Sequence, residues 1–208
     1  IQHTKEEAIE KKPISTWQDW INYAKDMHSG FFSEDYIFDE VLSLKGDYGI
    51  IFKTYKPTPI LLKLVIVWTG TDELFDRKYK DIALNIFRVA RSVIKIQQWD
   101  NEIAVLQKMS KNNISPNLID HNLFEAIGIN LGPPQVDGGE LKMGLIKMEY
   151  LYNYITLDEF IINKKENYDK ELKVLVCEKI INKLKEMHEQ KVCHGDLHMG
   201  NILINEDN

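Results

Sequence analysis

Near the end of this chain a carboxylate and a carboxamide stand five positions apart, in His194-Gly195-Asp196-Leu197-His198-Met199-Gly200-Asn201-Ile202-Leu203. A helical pattern leads into this stretch, Gly195 and Gly200 interrupt it, and the apolar run Ile202-Leu203-Ile204 leaves it as a strand. The fold must therefore deliver a helix into a tight loop and carry the chain out in extended form. Chemically, Asp196 offers a proton acceptor, and the side-chain oxygen of Asn201 offers a hard ligand for a divalent cation. Two other readings fit the same residues. One is an ordinary helix-to-strand turn whose Asp and Asn cap backbone groups. The other is a metal site built from Cys193, His194, Asp196 and His198, against which the glycines count, because His194 and His198 share a face only on a continuous helix.

The order H-x-D-x-x-x-x-N followed by an apolar strand resembles the catalytic loop of the protein kinase-like superfamily. The resemblance implies Asp196 as catalytic base and Asn201 as a ligand of Mg2+ bound to the phosphates of ATP. It extends upstream. Val41 to Leu44 and Ile50 to Tyr55 read as two strands around a glycine-containing turn. The family's glycine-rich loop maps onto Leu44 to Ile51, with Gly46 and Gly49 in its second and third glycine positions, Ile51 in its valine position and Leu44 replacing its first glycine. Ile60 to Val67 reads as a buried strand interrupted by Lys63. A lysine there either snorkels from a strand end or meets a partner, because an unpaired buried ammonium is costly. In the family this lysine holds the α- and β-phosphates and pairs with a glutamate of the next helix. Lys63 takes that position, Leu61 that of the small residue over the adenine, and Glu102 that of the glutamate.

Apolar spacing through Ile82, Ile86, Val89, Ala90 and Val93 predicts an inserted helix over about 72–98, running into a second helix with Ile103, Leu106 and Met109 on its buried side. Asn112-Asn113 ends that helix, Ser115-Pro116 leads into a strand, and Gly132 to Gly139 reads as a loop. Leu141 to Leu151 resembles the family's fifth strand and hinge, with Met148 gating the adenine pocket and backbone groups of Glu149 and Leu151 meeting the adenine edge. Leu203, after the catalytic loop, is assigned to the same nucleotide site. Leu157 to Ile162 predicts a short helix. Glu171 to Gln190 predicts a long one, whose core face is Leu172, Leu175, Val176, Ile180, Leu184 and Met187.

The expected fold is α+β: a bilobal protein kinase-like fold with an antiparallel N-lobe sheet, a regulatory-type helix and the start of a helical C-lobe. Its expected parts are a helical extension at 1–35, an N-lobe at 36–149 with the insertion, and a hinge and partial C-lobe at 150–208. In the extension Trp17, Trp20, Ile21 and Ala24 form one stripe, for packing on the body or for a partner. The 208 residues, 44% hydrophobic, suffice for such a core. A formal net charge of -6 argues against a general nucleic-acid surface. Cys177 and Cys193 are expected as buried, reduced thiols, the run Ile60 to Trp68 is too short to span a bilayer, and no signal peptide opens the chain, so a cytoplasmic setting is expected.

Some positions depart from the family. Gly195 stands where many protein kinases carry an arginine, and His198 where serine/threonine kinases carry a lysine, a form shared with small-molecule phosphotransferases of the aminoglycoside and choline kinase type. The chain opens without Met and stops at Asn208, ahead of the family's D-F-G aspartate. The expectation is a piece of a longer polypeptide, silent by itself. The reading is an ATP- and Mg2+-dependent phosphotransferase acting on protein serine or threonine, with Asp196, Lys63, Glu102 and His198 at the chemistry. Its alternatives are a small-molecule kinase and an inactive, partner-binding pseudokinase.

Overall fold

The computed structural model describes residues 22, 38–43, 50–54, 59–71, 93–125, 141–164 and 169–206. The expected N-terminal extension, apart from the helical Asn22, lies outside these residues, as do the glycine-rich turn at 44–49, the inserted helix over 72–92 and the loop at 132–139. The chain divides into two compact units, residues 1–101 with 120–147 and residues 102–119 with 148–208.

The first unit is built on a sheet. Strands β1 (Phe38–Ser43), β2 (Ile50–Thr54) and β3 (Ile60–Trp68) form an antiparallel run. A short β4 (Val93–Lys95) lies parallel to the end of β3. Downstream come helix α1 (Ile96–Lys111), β5 (Leu118–Glu125) and β6 (Leu141–Glu149). β6 sits between β3 and β5, giving the order β1-β2-β3-β6-β5. Residues 93–95 thus correct the expected helix: β-branched Val93 and Ile94 pair with Ile66 and Val67, and the helix starts at Ile96.

Burial along β3 explains its composition. Ile60, Leu62 and Leu64 are buried while Leu61 and Lys63 are half-buried, and from Leu64 to Trp68 every residue is buried. The first half therefore keeps one partly open face, and the second is covered on both. The buried Thr54 hydroxyl closes the β2–β3 connection, accepting the Ile60 N–H at 3.4 Å. In β6, Gly144 is required by close packing. A Cβ there would clash with Trp99 Cζ3 and stand 2.8 Å from Val65 Cγ2.

The second unit carries a short ladder and two more helices. β7 (Tyr154–Thr156) pairs antiparallel with β8 (Leu203–Asn205), and α2 (Leu157–Asn163) and α3 (Lys170–Glu189) lie between them in the chain. α2 starts on the sequence Thr156-Leu157-Asp158-Glu159, a capping box whose Glu159 carboxylate accepts the Thr156 N–H at 3.1 Å. The Asp169 carboxylate caps α3 by accepting the Leu172 N–H at 2.9 Å.

Both long helices end in the same way. After α1, Asn113 turns to φ 55°, its N–H reaches the Ser110 carbonyl, and the Ile114 N–H reaches that of Met109. After α3, Lys191 turns to φ 58°, its N–H reaches the His188 carbonyl, and the Val192 N–H reaches that of Met187. These are Schellman motifs, which bring the residue after the turn onto the last helical turn. Met109, Met187 and Val192 form one buried cluster, with Ile114, Val105 and Leu184 against it. Lys108 Nζ adds a bond to the Gln190 carbonyl.

Two expectations are corrected here. Leu175, placed on the core face of α3, is 48% exposed; the core face runs instead through Leu172, Val176, Ile180, Leu184 and Met187. Cys177 and Cys193 are exposed free thiols, one on the outer side of α3 and one in the open stretch after it. Among the described residues no helix is long and apolar enough to cross a membrane. The antiparallel sheet, the helix after its third strand and the helix feeding a terminal loop make up a mixed α/β kinase-like fold.

Candidate functional site

The loop expected to carry the chemistry is fixed at both ends. On entry, Val192 is anchored in the Met109–Met187 cluster, and Cys193 to Met199 emerge exposed. On exit, the Ile202 carbonyl accepts the Leu157 N–H at 2.8 Å, Leu203 pairs with Thr156, and the Glu206 N–H reaches the Asn153 carbonyl at 2.8 Å. Ile202 and Ile204 pack on the Leu157, Phe160 and Val176 cluster, whereas Leu203 is 41% exposed. Strand alternation causes this split, putting neighbours on opposite faces.

Inside the loop, local bonds set each side chain. Gly195 takes φ +76°, a conformation that L side chains rarely adopt. The Asp196 N–H points back to His194 Nδ1 at 3.3 Å. A 3-10 turn follows over Met199–Asn201. The Asn201 amide nitrogen donates to the Asp196 carbonyl at 2.9 Å, so its Oδ1 is the atom turned away from that bond. The donor must be the nitrogen, because its partner is a carbonyl. The bond uses the amide nitrogen and leaves the hard Oδ1 as the atom that could meet a divalent cation.

His198 is held equally firmly. Its Nδ1 accepts the Gly200 N–H at 3.1 Å, which makes Nε2 the protonated nitrogen of the neutral ring. Nε2 lies 4.0 Å from Asp196 Oδ2. A Cβ at Gly200 would come within 3.1 Å of His198 Cε1, so glycine lets the ring lie over the turn. With side chains 57% and 73% exposed, His198 and Asp196 form a solvent-screened pair. The second loop reading is half realised, since Asn201 does cap a backbone carbonyl. The third is not: among the described residues no three of His, Cys, Asp and Glu assemble a metal site.

At the hinge, Met148 is buried, and Glu149 and Leu151 are half-buried. Glu149 is tied to Asn117, whose backbone carbonyl accepts the Glu149 N–H at 2.8 Å and whose Nδ2 donates to the Glu149 carboxylate at 2.8 Å. The Ser110 hydroxyl joins by donating to Asn117 Oδ1 and accepting the Leu118 N–H, both at 3.1 Å. Asn117 and Ser110 were absent from the sequence-based site. Their spacing after α1 carries no motif, and only the folded chain brings them to the hinge. The capping residues Thr156 and Glu159 lie outside that site as well, although Thr-x-x-Glu ahead of an apolar run is a legible signal.

In the first unit, Ile51 is the cross-strand partner of Lys63, and Lys53 that of Leu61. Opposed residues share a face, so Ile51, Leu61 and Lys63 line the half-buried face of β2 and β3 with Lys53. Leu44, Gly46 and Gly49 lie outside the described residues. Glu102 is half-buried on α1, beside the buried Ile103, and belongs to the second unit with Asp196, His198 and Asn201.

Comparison with known proteins bears on this arrangement. The sequence model of the lipopolysaccharide kinase (Kdo/WaaP) family matches residues 131–208. No curated protein matches the chain. Among solved structures, the MAP kinase LmaMPK10 from Leishmania major is similar, with 17% identity and a TM-score of 0.48, over 92% of this chain and 47% of that one. The chain thus spans about half the length of that relative. The family match runs through β6, the hinge, α3 and the H-x-D-x-x-x-x-N loop. That loop, fed by α3 and closed by an apolar strand, lies within the part of the chain that is similar to a kinase family.

Proposed function

We propose that this chain carries the nucleotide-binding strands and catalytic loop of an ATP- and Mg2+-dependent phosphotransferase whose acceptor is a serine or threonine hydroxyl of a protein. The observation that supports the chemistry best is the Asn201–Asp196 bond. It holds an exposed carboxylate and a hard amide oxygen on one turn. Asp196 accepts the proton of the acceptor hydroxyl as its oxygen attacks the γ-phosphorus, the bond to the β,γ-bridging oxygen breaks, and ADP leaves. His198 Nε2–H donates to the phosphoryl oxygens on transfer. Asn201 Oδ1 would hold magnesium, which when bound neutralises phosphate charge.

On the sheet, Lys63 anchors the phosphates from the half-open face shared with Ile51 and Leu61. By the resemblance, Leu44, Gly46 and Gly49 also belong to the phosphate site. At the hinge the Glu149 N–H is engaged by Asn117, which assigns adenine recognition to the Glu149 carbonyl and the Leu151 backbone, with Met148 behind them and Leu203 below. A second reading, a saccharide or other small-molecule hydroxyl as acceptor, is favoured by the match to a lipopolysaccharide kinase family over residues 131–208.

The test is substitution in the full polypeptide. Asp196→Ala lowers kcat by about 10²–10⁴-fold. Lys63→Ala lowers kcat/KM for ATP, with an unchanged circular dichroism spectrum for both variants. Normal turnover by either folded variant sinks the assignment.

A further inference from the structure

Asn117 and Glu149 hold one another through backbone and side chain together. The Glu149 N–H donates to the Asn117 carbonyl at 2.8 Å, and Glu149 Oε2 accepts both the Asn117 N–H at 3.2 Å and Asn117 Nδ2 at 2.8 Å. Pairing of two extended segments would supply the first of these bonds without any particular side chain. The others need a carboxylate opposite a carboxamide, and the carboxamide must face the right way. Ser110, in the last turn of α1, sees to that: its hydroxyl donates to Asn117 Oδ1 and is itself fixed by the Leu118 N–H, both at 3.1 Å. A flipped amide would set Oδ1 against the Glu149 carboxylate. With its N–H and its carboxylate both held, Glu149 keeps ψ as the torsion that can redirect its own carbonyl. All of these residues belong to the second unit.

We propose that Asn117, oriented by Ser110, is a positioning residue for the nucleotide, acting through Glu149 to fix that residue's carbonyl as an acceptor and so to set the preference for adenine over guanine. The inference rests on the reading in which the Glu149 carbonyl meets the adenine edge. Adenine carries an amino donor where guanine carries a carbonyl acceptor. An acceptor held in place bonds the first and repels the second, whereas a carbonyl free to turn away separates them less.

Asn117 is exposed and Ser110 and Glu149 are half-buried, so the effect is modest. In the full polypeptide, Asn117→Ala raises KM for ATP about two- to fivefold with kcat at saturating ATP unchanged, and narrows the ratio of kcat/KM for ATP to that for GTP. Asn117→Asp turns an oxygen toward the Glu149 carboxylate and has a larger effect in the same direction. Adding Glu149→Gln to Asn117→Asp restores KM and the ratio, because the new amide donates where Asn117 Nδ2 did. A folded Asn117→Ala variant with unchanged KM and ratio, or with a fall in kcat alone, overturns the positioning role. So does a loss in Asn117→Asp that Glu149→Gln leaves in place. Calorimetric titration of the same polypeptides with ATP and GTP separates this failure from failure of the underlying reading. ATP bound without phosphoryl transfer, and bound more weakly by Asn117→Ala, supports the positioning role and removes the phosphotransferase reading. Binding of neither nucleotide by the unmodified polypeptide overturns the nucleotide site and the positioning role together.

Discussion

Gly195 turns the chain at φ +76° with nothing within 4 Å of where a Cβ would stand, so backbone conformation and not space keeps this position a glycine. An arginine, common here in protein kinases, would have to adopt the same strained backbone. Gly195→Ala is expected to cost about 1–2 kcal/mol, read as a fall in the urea midpoint. Lys191 shows the opposite case, an L side chain at φ 58° that ends α3. Lys191→Gly should stabilise the chain by about 1 kcal/mol, measured as a higher Tm. That lysine gave no sign of its conformation in the sequence, because the Schellman turn depends on where α3 stops and on Val192 reaching Met187. Lys147 is a third residue set by its surroundings. It is 8% exposed, and burial lowers its pKa, partly offset by the charge of Asp120. Because the folded pKa lies below the unfolded one, the cost of the charged form is fully present below the folded pKa and is relieved as pH rises towards the unfolded value of 10.5. Lys147→Met should therefore raise stability at neutral pH by on the order of 1 kcal/mol, with the gain shrinking in alkaline buffer. A loss of stability at neutral pH would mean that the ammonium's interactions outweigh its desolvation.

At the scale of elements, the packing of α1 on the sheet depends on Gly144, because the Trp99 ring occupies the space of its missing side chain. Gly144→Ala should destabilise by about 1–3 kcal/mol, and the loss should shrink when Trp99→Leu makes room. Equal losses in both backgrounds would show that the strain lies elsewhere. Periodicity made most described elements legible. The long apolar stripe of α3, the Thr-x-x-Glu start of α2 and the β-branched runs of β3 and β6 each carry their own signal, so their ends fell within a few residues of the expected ones. It failed at Val93, where helical spacing continues through a residue that pairs with β3. Three residues of strand are too few to show alternation, and the pairing that creates β4 is with a segment far back in the chain. It also misplaced Leu175, because a stripe of apolar residues marks a helix face but not its width. The candidate loop was legible because Asp196 and Asn201 lie within one motif, and the bond between them is local. Asn117, which holds the hinge, was not, since its partner Glu149 lies across a strand and a connection.

For the whole molecule the open matter is the acceptor, and charge bears on it differently from the loop motif. The chain carries a formal net charge of -6. A negative field slows encounter with a polyanionic acceptor and is neutral towards an ordinary polypeptide. Asp196 is 73% exposed, and Leu197 and Met199 are 45% and 51% exposed. The charge alone favours a polypeptide over a polyanion as the acceptor in the proposed reaction. Against it stand Gly195, His198 and the lipopolysaccharide kinase match, which concern the loop and its approach. Loop chemistry is common to both acceptor classes, so charge receives more weight here. The full polypeptide, given ATP labelled in its γ-phosphate together with a protein mixture, aminoglycosides, choline and lipopolysaccharide in parallel, is expected to label serine or threonine in protein. That labelling should persist in His198→Lys, which keeps a donor at the same position. Label entering only a saccharide or another small molecule would replace the protein acceptor with the second reading while leaving the roles of Asp196 and Asn201 intact. Transfer to no acceptor, with ATP still bound, would instead favour a nucleotide-binding scaffold.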